Sequence, residues 1–137
     1  MSIFKRPENI SFKRLTLRIS GMAVEVTEYE LLKTENGMNA ALYFGRWQYD
    51  ELIARRDCLR SQKDCPADEY ERFNTLLNSL KVVKWNGRSY NNPMVLDGES
   101  FSLEIELSDG RILYCHGTNS WPDGYRTLES AVRELFA

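Results

Sequence analysis

Phe101, Leu103, Ile105 and Leu107 alternate with Ser102, Glu104, Glu106 and Ser108, the period-two pattern of a strand with one buried face. Asp109-Gly110 follows, a dipeptide that tolerates the positive φ a two-residue hairpin turn requires. Residues 101–116 therefore read as a β-hairpin, and an all-helical fold is excluded. With Ser108 opposite Arg111, the apolar face pairs Leu107 with Ile112, Ile105 with Tyr114 and Leu103 with His116. Glu106 with Leu113 and Glu104 with Cys115 fall on the other face. Gly117-Thr-Asn-Ser-Trp-Pro122 and a helical pattern come next, so the last third reads as one ββα unit.

Upstream, Leu15, Leu17 and Ile19 alternate with polar residues, and Met22, Val24 and Val26 resume the rhythm after Ser20-Gly21. A turn there pairs Ile19 with Met22, Leu17 with Val24 and Leu15 with Val26. Tyr29 and Leu31 then fall out of phase, which a bulge near Thr27-Glu28 repairs. Asn36-Gly37 predicts a second hairpin with Leu31 opposite Leu42 and Tyr29 opposite Phe44, giving a three-stranded meander. Gln48 to Arg60 fits a helix by composition or a fourth strand of the meander, and both readings stay open.

Ser61 to Pro66 reads as a polar linker, with Asp64 or Cys65 as cap and Pro66 at the first helical position. Tyr70, Phe73, Leu76, Leu77 and Leu80 recur at helical steps. Val82, Val83 and Trp85 suggest a short extended exit, Asn86-Gly87 a turn, and Arg88 to Leu96 an irregular surface stretch. A last helix starts at Pro122 or Asp123 with Tyr125, Leu128, Val132 and Leu135 inward. The expected architecture is a single α+β domain over residues 1–137: an antiparallel β-meander, an amphipathic helix, a second β-hairpin and a C-terminal helix packed on the sheet.

At 137 residues such a chain buries roughly two-thirds of its unfolded surface without metals or disulfides. Eighteen basic against 20 acidic residues make it a poor partner for a nucleic-acid backbone. No apolar run approaches the roughly 18 residues of a membrane span, and Met-Ser-Ile-Phe-Lys-Arg-Pro lacks the apolar core of a signal peptide. Cys58, Cys65 and Cys115 are odd in number, which fits reduced thiols; the expected location is the cytoplasm.

His116 is the only histidine, so general base chemistry at neutral pH points to it, with an acid such as Asp97 as its partner. Its register position on the apolar face favours a structural role. No metal site is expected: the spacing of Cys58 and Cys65 is not a common zinc spacing, and adjacent strand residues Cys115 and His116 diverge. Turn and cap duties account for Asp97, Asp109 and Asp123. The loop from Gly117 to Gly124 feeds a helix N-terminus and offers polar groups that suit an anion, but a strand-to-helix connection is the favoured reading. Trp47, Trp85, Trp121, Tyr90 and Tyr125 could form an exposed aromatic patch. The candidate binding residues are accordingly Trp121, Asn119, Thr118, Trp85 and Tyr90, with no cofactor.

Trp85-Asn-Gly87, Val95-Leu-Asp-Gly98, Phe101-Ser-Leu103, Ser108-Asp-Gly110 and Gly117-Thr-Asn-Ser-Trp-Pro122 followed by Tyr125 resemble, over about the last fifty residues, a family of small uncharacterised bacterial proteins. That resemblance implies an antiparallel sheet with two helices and a meander that takes in residues 47–58 as a strand; it carries no activity and no catalytic residues. The function expected is a non-enzymatic cytoplasmic binding or protein-interaction module, with a protein partner or a second copy as its ligand. A toxin-neutralising partner is a special case of it. The alternative is a small hydrolase-like enzyme using His116 with Asp97.

Overall fold

In the computed structural model, which describes residues 9–21, 25–48, 51–52, 58–92 and 98–137 (at 46–48 and 51–52 the backbone alone), strand β1 (Phe12–Ser20) lies in the middle of a mixed sheet. It pairs antiparallel on one side with β2 (Glu25–Thr34) and on the other with β7 (Ser100–Leu107). β2 continues into β3 (Gly37–Gln48), whose far side carries β4 (Glu51–Leu52) and β5 (Leu59–Pro66). β7 continues into β8 (Ile112–Thr118), and β6 (Ser89–Asn91) lies parallel to β8 at the far edge. Among the described residues the order is β4-β3-β2-β1-β7-β8-β6, with β5 also on β3. The meander and the last hairpin are thus one sheet joined by β1 and β7.

Helices α1 (Ala67–Ser79) and α2 (Tyr125–Glu134) cover the face bearing Leu15, Leu17, Tyr29, Leu31, Leu103 and Ile105. Tyr70 and Phe73 of α1 and Tyr125, Leu128 and Val132 of α2 fill the core against these residues. Each such side chain contributes about 1.5–3 kcal/mol by leaving water. The inward residues expected of the last helix are all buried. It begins at Tyr125, after Gly124 in a left-handed conformation, rather than at Pro122 or Asp123. No helix among the described residues is long and apolar enough to cross a membrane.

The registers differ from those expected, because the first and last hairpin loops are longer than two residues and the second turn sits one residue earlier. β1 and β2 pair Ser20 with Val26, Leu17 with Tyr29 and Leu15 with Leu31, so five residues lie between the last paired residues instead of the two of a Ser20-Gly21 turn. An odd-numbered loop brings odd residues opposite odd residues. Tyr29 and Leu31 then need no bulge, and β2 is unbroken in its pairing with β1 and β3. Met22 and Val24 lie outside the described residues. In the next hairpin Thr34 pairs with Gly37, so the turn is Glu35-Asn36 rather than Asn36-Gly37; Leu31 faces Ala40 and Tyr29 faces Leu42. Gly37 is used differently, because a side chain there would collide with the Cys65 carbonyl.

Residues 61–66, expected as linker, belong to strand β5 (Leu59–Pro66). Its polar side chains serve an edge position: Asn39 bonds Asp64 (3.0 Å) and accepts from Gln62 (2.9 Å). Charges, a register shift opposite Leu42–Tyr43 and the terminal Pro66 are devices that discourage a further strand from adding. Pro66 sits one residue ahead of the helix as its N-cap. Of the stretch with two open readings, residues 51–52 and 59–60 are strand, and 53–57 lie outside the described residues. Val82–Trp85 is a 3-10 helix after left-handed Lys81, not an extended exit. Ser89–Asn91, expected as irregular, pairs with β8.

Candidate binding surface

The last hairpin decides which side chains reach solvent. Leu107 N donates to Arg111 O (2.8 Å) and Gly110 N to Leu107 O (3.0 Å), so the loop is Ser108-Asp109-Gly110, with Gly110 at φ 92°. This is the three-residue connection that ends in a left-handed glycine, not the two-residue turn. The Asp109 carboxylate accepts from Arg111 N (3.0 Å) and Nε (2.9 Å), which holds its carboxyl below the ordinary range. One extra loop residue moves every β8 side chain to the opposite face. Leu103 therefore faces Cys115, Ile105 faces Leu113 and Ser102 faces His116.

His116 consequently lies on the sheet face opposite α1 and α2, helix-free among the described residues, exposed, and not opposite Leu103 in the core; Cys115 takes the buried place. Burial pushes the Cys115 thiol up to about 11. A group whose folded pKa is raised stabilises fully below its unfolded value and loses that contribution as pH rises through the folded one. Stability should therefore fall from near pH 9 to about 11, and less steeply in Cys115→Val. Urea midpoints at about pH 8 and about pH 10.5 for both proteins check this.

Along the helix-free face, Ile112 and Tyr114 are 55% and 46% exposed, and the Tyr114 and His116 rings meet at 5.7 Å, tilted by 38°. Their cross-strand neighbours are Glu106, Glu104 and Ser102, and beyond these Arg14, Thr16 and Arg18 of β1. Glu106 is 3.6 Å from Lys13, whereas exposed Glu104 forms no ion pair among the described residues. Towards β2 the face closes: Glu28 is 2% exposed and takes Arg18 Nη2 at 2.7 Å and Nε at 3.2 Å on one oxygen. The outer side of β8 is also tied down. Asn86 Oδ1 accepts from Tyr114 N (2.9 Å), and Gly87 N donates to Tyr114 O (2.7 Å). Ile112, Tyr114 and His116 thus project from a strand fixed on both sides.

The residues expected to bind do not assemble into one exposed patch. Trp85 is buried, and Tyr90 is half-buried on β6 opposite Gly117. Trp121 is half-buried, with the Arg126 guanidinium 4.2 Å above its ring and Tyr125 stacked at 6.3 Å; its Nε1 is buried with no acceptor among the described residues. Asn119 adopts φ 57°, and its side-chain oxygen accepts from Glu99 N (3.1 Å) where any side chain on Gly98 would stand. Thr118 is exposed, its hydroxyl 3.1 Å from that of Ser100. Tyr125, the first residue of α2, is buried, its hydroxyl donating to Glu129 (3.1 Å); burial first, then the Glu129 charge, raises its pKa. The Trp47 side chain and Asp97 lie outside the described residues, and with Asp97 the suggested His116–Asp97 pair.

Ile112 and Tyr114 escaped the sequence reading because a two-residue turn puts them inside. The available signal was Ser108-Asp109-Gly110 itself, which suits a three-residue loop equally well. All three cysteines are thiols, and no group of three or more metal-ligating side chains is assembled among the described residues. No family model matches the chain, and no curated protein matches it.

Proposed function

We propose that the protein is a non-enzymatic, cytoplasmic binding module that docks a protein partner on the helix-free face of β7 and β8. The observation that carries this reading is the exposure of Ile112 and Tyr114, with His116, at alternate positions of one strand. Two large apolar groups held in water by a fixed backbone lose little conformational entropy when covered. Glu104 and Glu106 border them and supply polar selectivity at the rim.

Affinity purification of the tagged protein from its native host, with a moderate salt wash, tests the reading. A stoichiometric partner should be retained by the native protein and lost by the Ile112→Ser/Tyr114→Ala double variant at unchanged melting temperature. Anchors of this kind are worth about 2 kcal/mol or more, so affinity should fall roughly 30-fold or further. Equal retention by both proteins refutes the assignment of the surface. A second reading, a hydrolase-like enzyme using His116 with an acid, is supported by the solvent exposure of that ring; it requires a hydrolytic activity that His116→Ala abolishes.

A further inference from the structure

β2 ends its pairing with β1 at Leu32 opposite Arg14, which leaves the preceding backbone without a neighbouring strand on that side. Helix α1 takes the strand's place. Tyr70, Asn74 and Asn78, at steps of four on one helix face, reach the main chain of Ile10 and Phe12. Asn78 Oδ1 accepts from Ile10 N (2.7 Å), and Asn78 Nδ2 donates to Ile10 O (2.9 Å). Asn74 Oδ1 accepts from Phe12 N (3.1 Å), and the Tyr70 hydroxyl donates to Phe12 O (2.7 Å). On the opposite side Ser108 N donates to Ser11 O (2.9 Å).

These five bonds all end on main-chain atoms of the segment, so they recognise an extended backbone and not its sequence. Selectivity rests on two side chains two residues apart, Ile10 and Phe12, both buried. The β1–β7 ladder also breaks here: Phe12 pairs with Leu107 and Arg14 with Glu106, which leaves Lys13 as an extra residue. The irregularity at Lys13 separates residues 10–12 from Arg14–Ser20, which are paired on both sides.

We propose that the seat formed by Tyr70, Asn74, Asn78 and Ser108 is a recognition site for an extended peptide with apolar side chains two residues apart. The chain's own Ile10-Ser11-Phe12 fills it as an intramolecular competitor. A strand with the same pattern makes the same bonds, and its apparent affinity is set by the fraction of time the segment is away. The site is separate from the β7–β8 face, and either can fail without the other.

The test uses the full-length ¹⁵N-labelled protein and the unlabelled peptide acetyl-Asn-Ile-Ser-Phe-Lys-amide. Saturable shifts of the Asn74 and Asn78 side-chain amides are expected, with affinity at least about tenfold higher for Ile10→Ser, whose segment is away more often. A peptide with Ile and Phe adjacent should give none. Native-state hydrogen exchange of the unmutated protein supplies a check that needs no variant: the Ile10 and Phe12 amides should exchange at least about tenfold faster than those of Leu15 and Leu17. Absent shifts at Asn74 and Asn78, shifts with the adjacent-residue peptide, or equal exchange along 10–17 would each overturn the proposal.

Discussion

Gly117→Ala is expected to destabilise the protein by about 3 kcal/mol or more, lowering the melting temperature by roughly 10 °C. Gly117 packs where β6, β7 and the loop before α2 converge. A Cβ there would stand 2.5 Å from Ser120 O, 2.7 Å from the Phe101 ring and 2.8 Å from Tyr90 O. Two of the three obstacles are backbone carbonyls, which no rotamer change moves. The entropic gain of replacing glycine, about 0.4–1 kcal/mol, is too small to compensate. Gly21→Ala is the control, since nothing among the described residues lies within 4 Å of its Cβ position. Thermal unfolding of both variants decides the matter: equal melting temperatures would mean that the β6–β8 junction yields freely.

Phe12→Ala should cost about 3–5 kcal/mol, the range for deleting a fully buried ring. Phe12 is fully buried, 5.0 Å from the Tyr70 ring, and its amide and carbonyl are the two groups that Asn74 and Tyr70 satisfy. Loss of the ring loosens those bonds as well, so the result should fall in the upper half of the range. Lys13→Ala next to it removes only an exposed contact to Glu106 at 3.6 Å and should stay within about 0.5 kcal/mol. Urea denaturation of the pair measures the contrast, and comparable losses would show that the Phe12 seat contributes little.

Side-chain periodicity made most elements readable. The alternation at 15–19 and 101–107 and the helical stripe from Tyr70 to Leu80 mark structures that exist, because each reflects one face leaving water. Register was not readable. Ser20-Gly21, Asn36-Gly37 and Asp109-Gly110 announce turns, but the length and the position of a loop depend on what packs beside it. Gly37 shows this: it answers to the close approach of Cys65, not to the turn. At Asp109-Gly110 a miscount of one residue hid the exposed pair Ile112 and Tyr114. β5 carries no alternation because an edge strand exposed on both faces has no apolar side to declare. Asn74 and Asn78 look like interruptions of an apolar stripe until the unpaired backbone of Ile10 and Phe12 is placed beside them. The candidate residues around Trp121 follow the same logic, since an aromatic count cannot distinguish Trp85 in the core from Tyr114 in water.

The pairing of β1 with β7 has a consequence during synthesis. Leu17 meets Leu103 only after a further 86 residues have been added, since the positions differ by that number. At the usual elongation rates the wait is on the order of ten seconds. Meanwhile the β1–β2–β3–β5 meander is made of near neighbours and can form on the ribosome. During that interval one edge of β1 presents unsatisfied amides beside Leu15, Leu17 and Ile19, the most adhesive surface the nascent chain will show. That exposure ends when the last hairpin emerges and β7 pairs with β1.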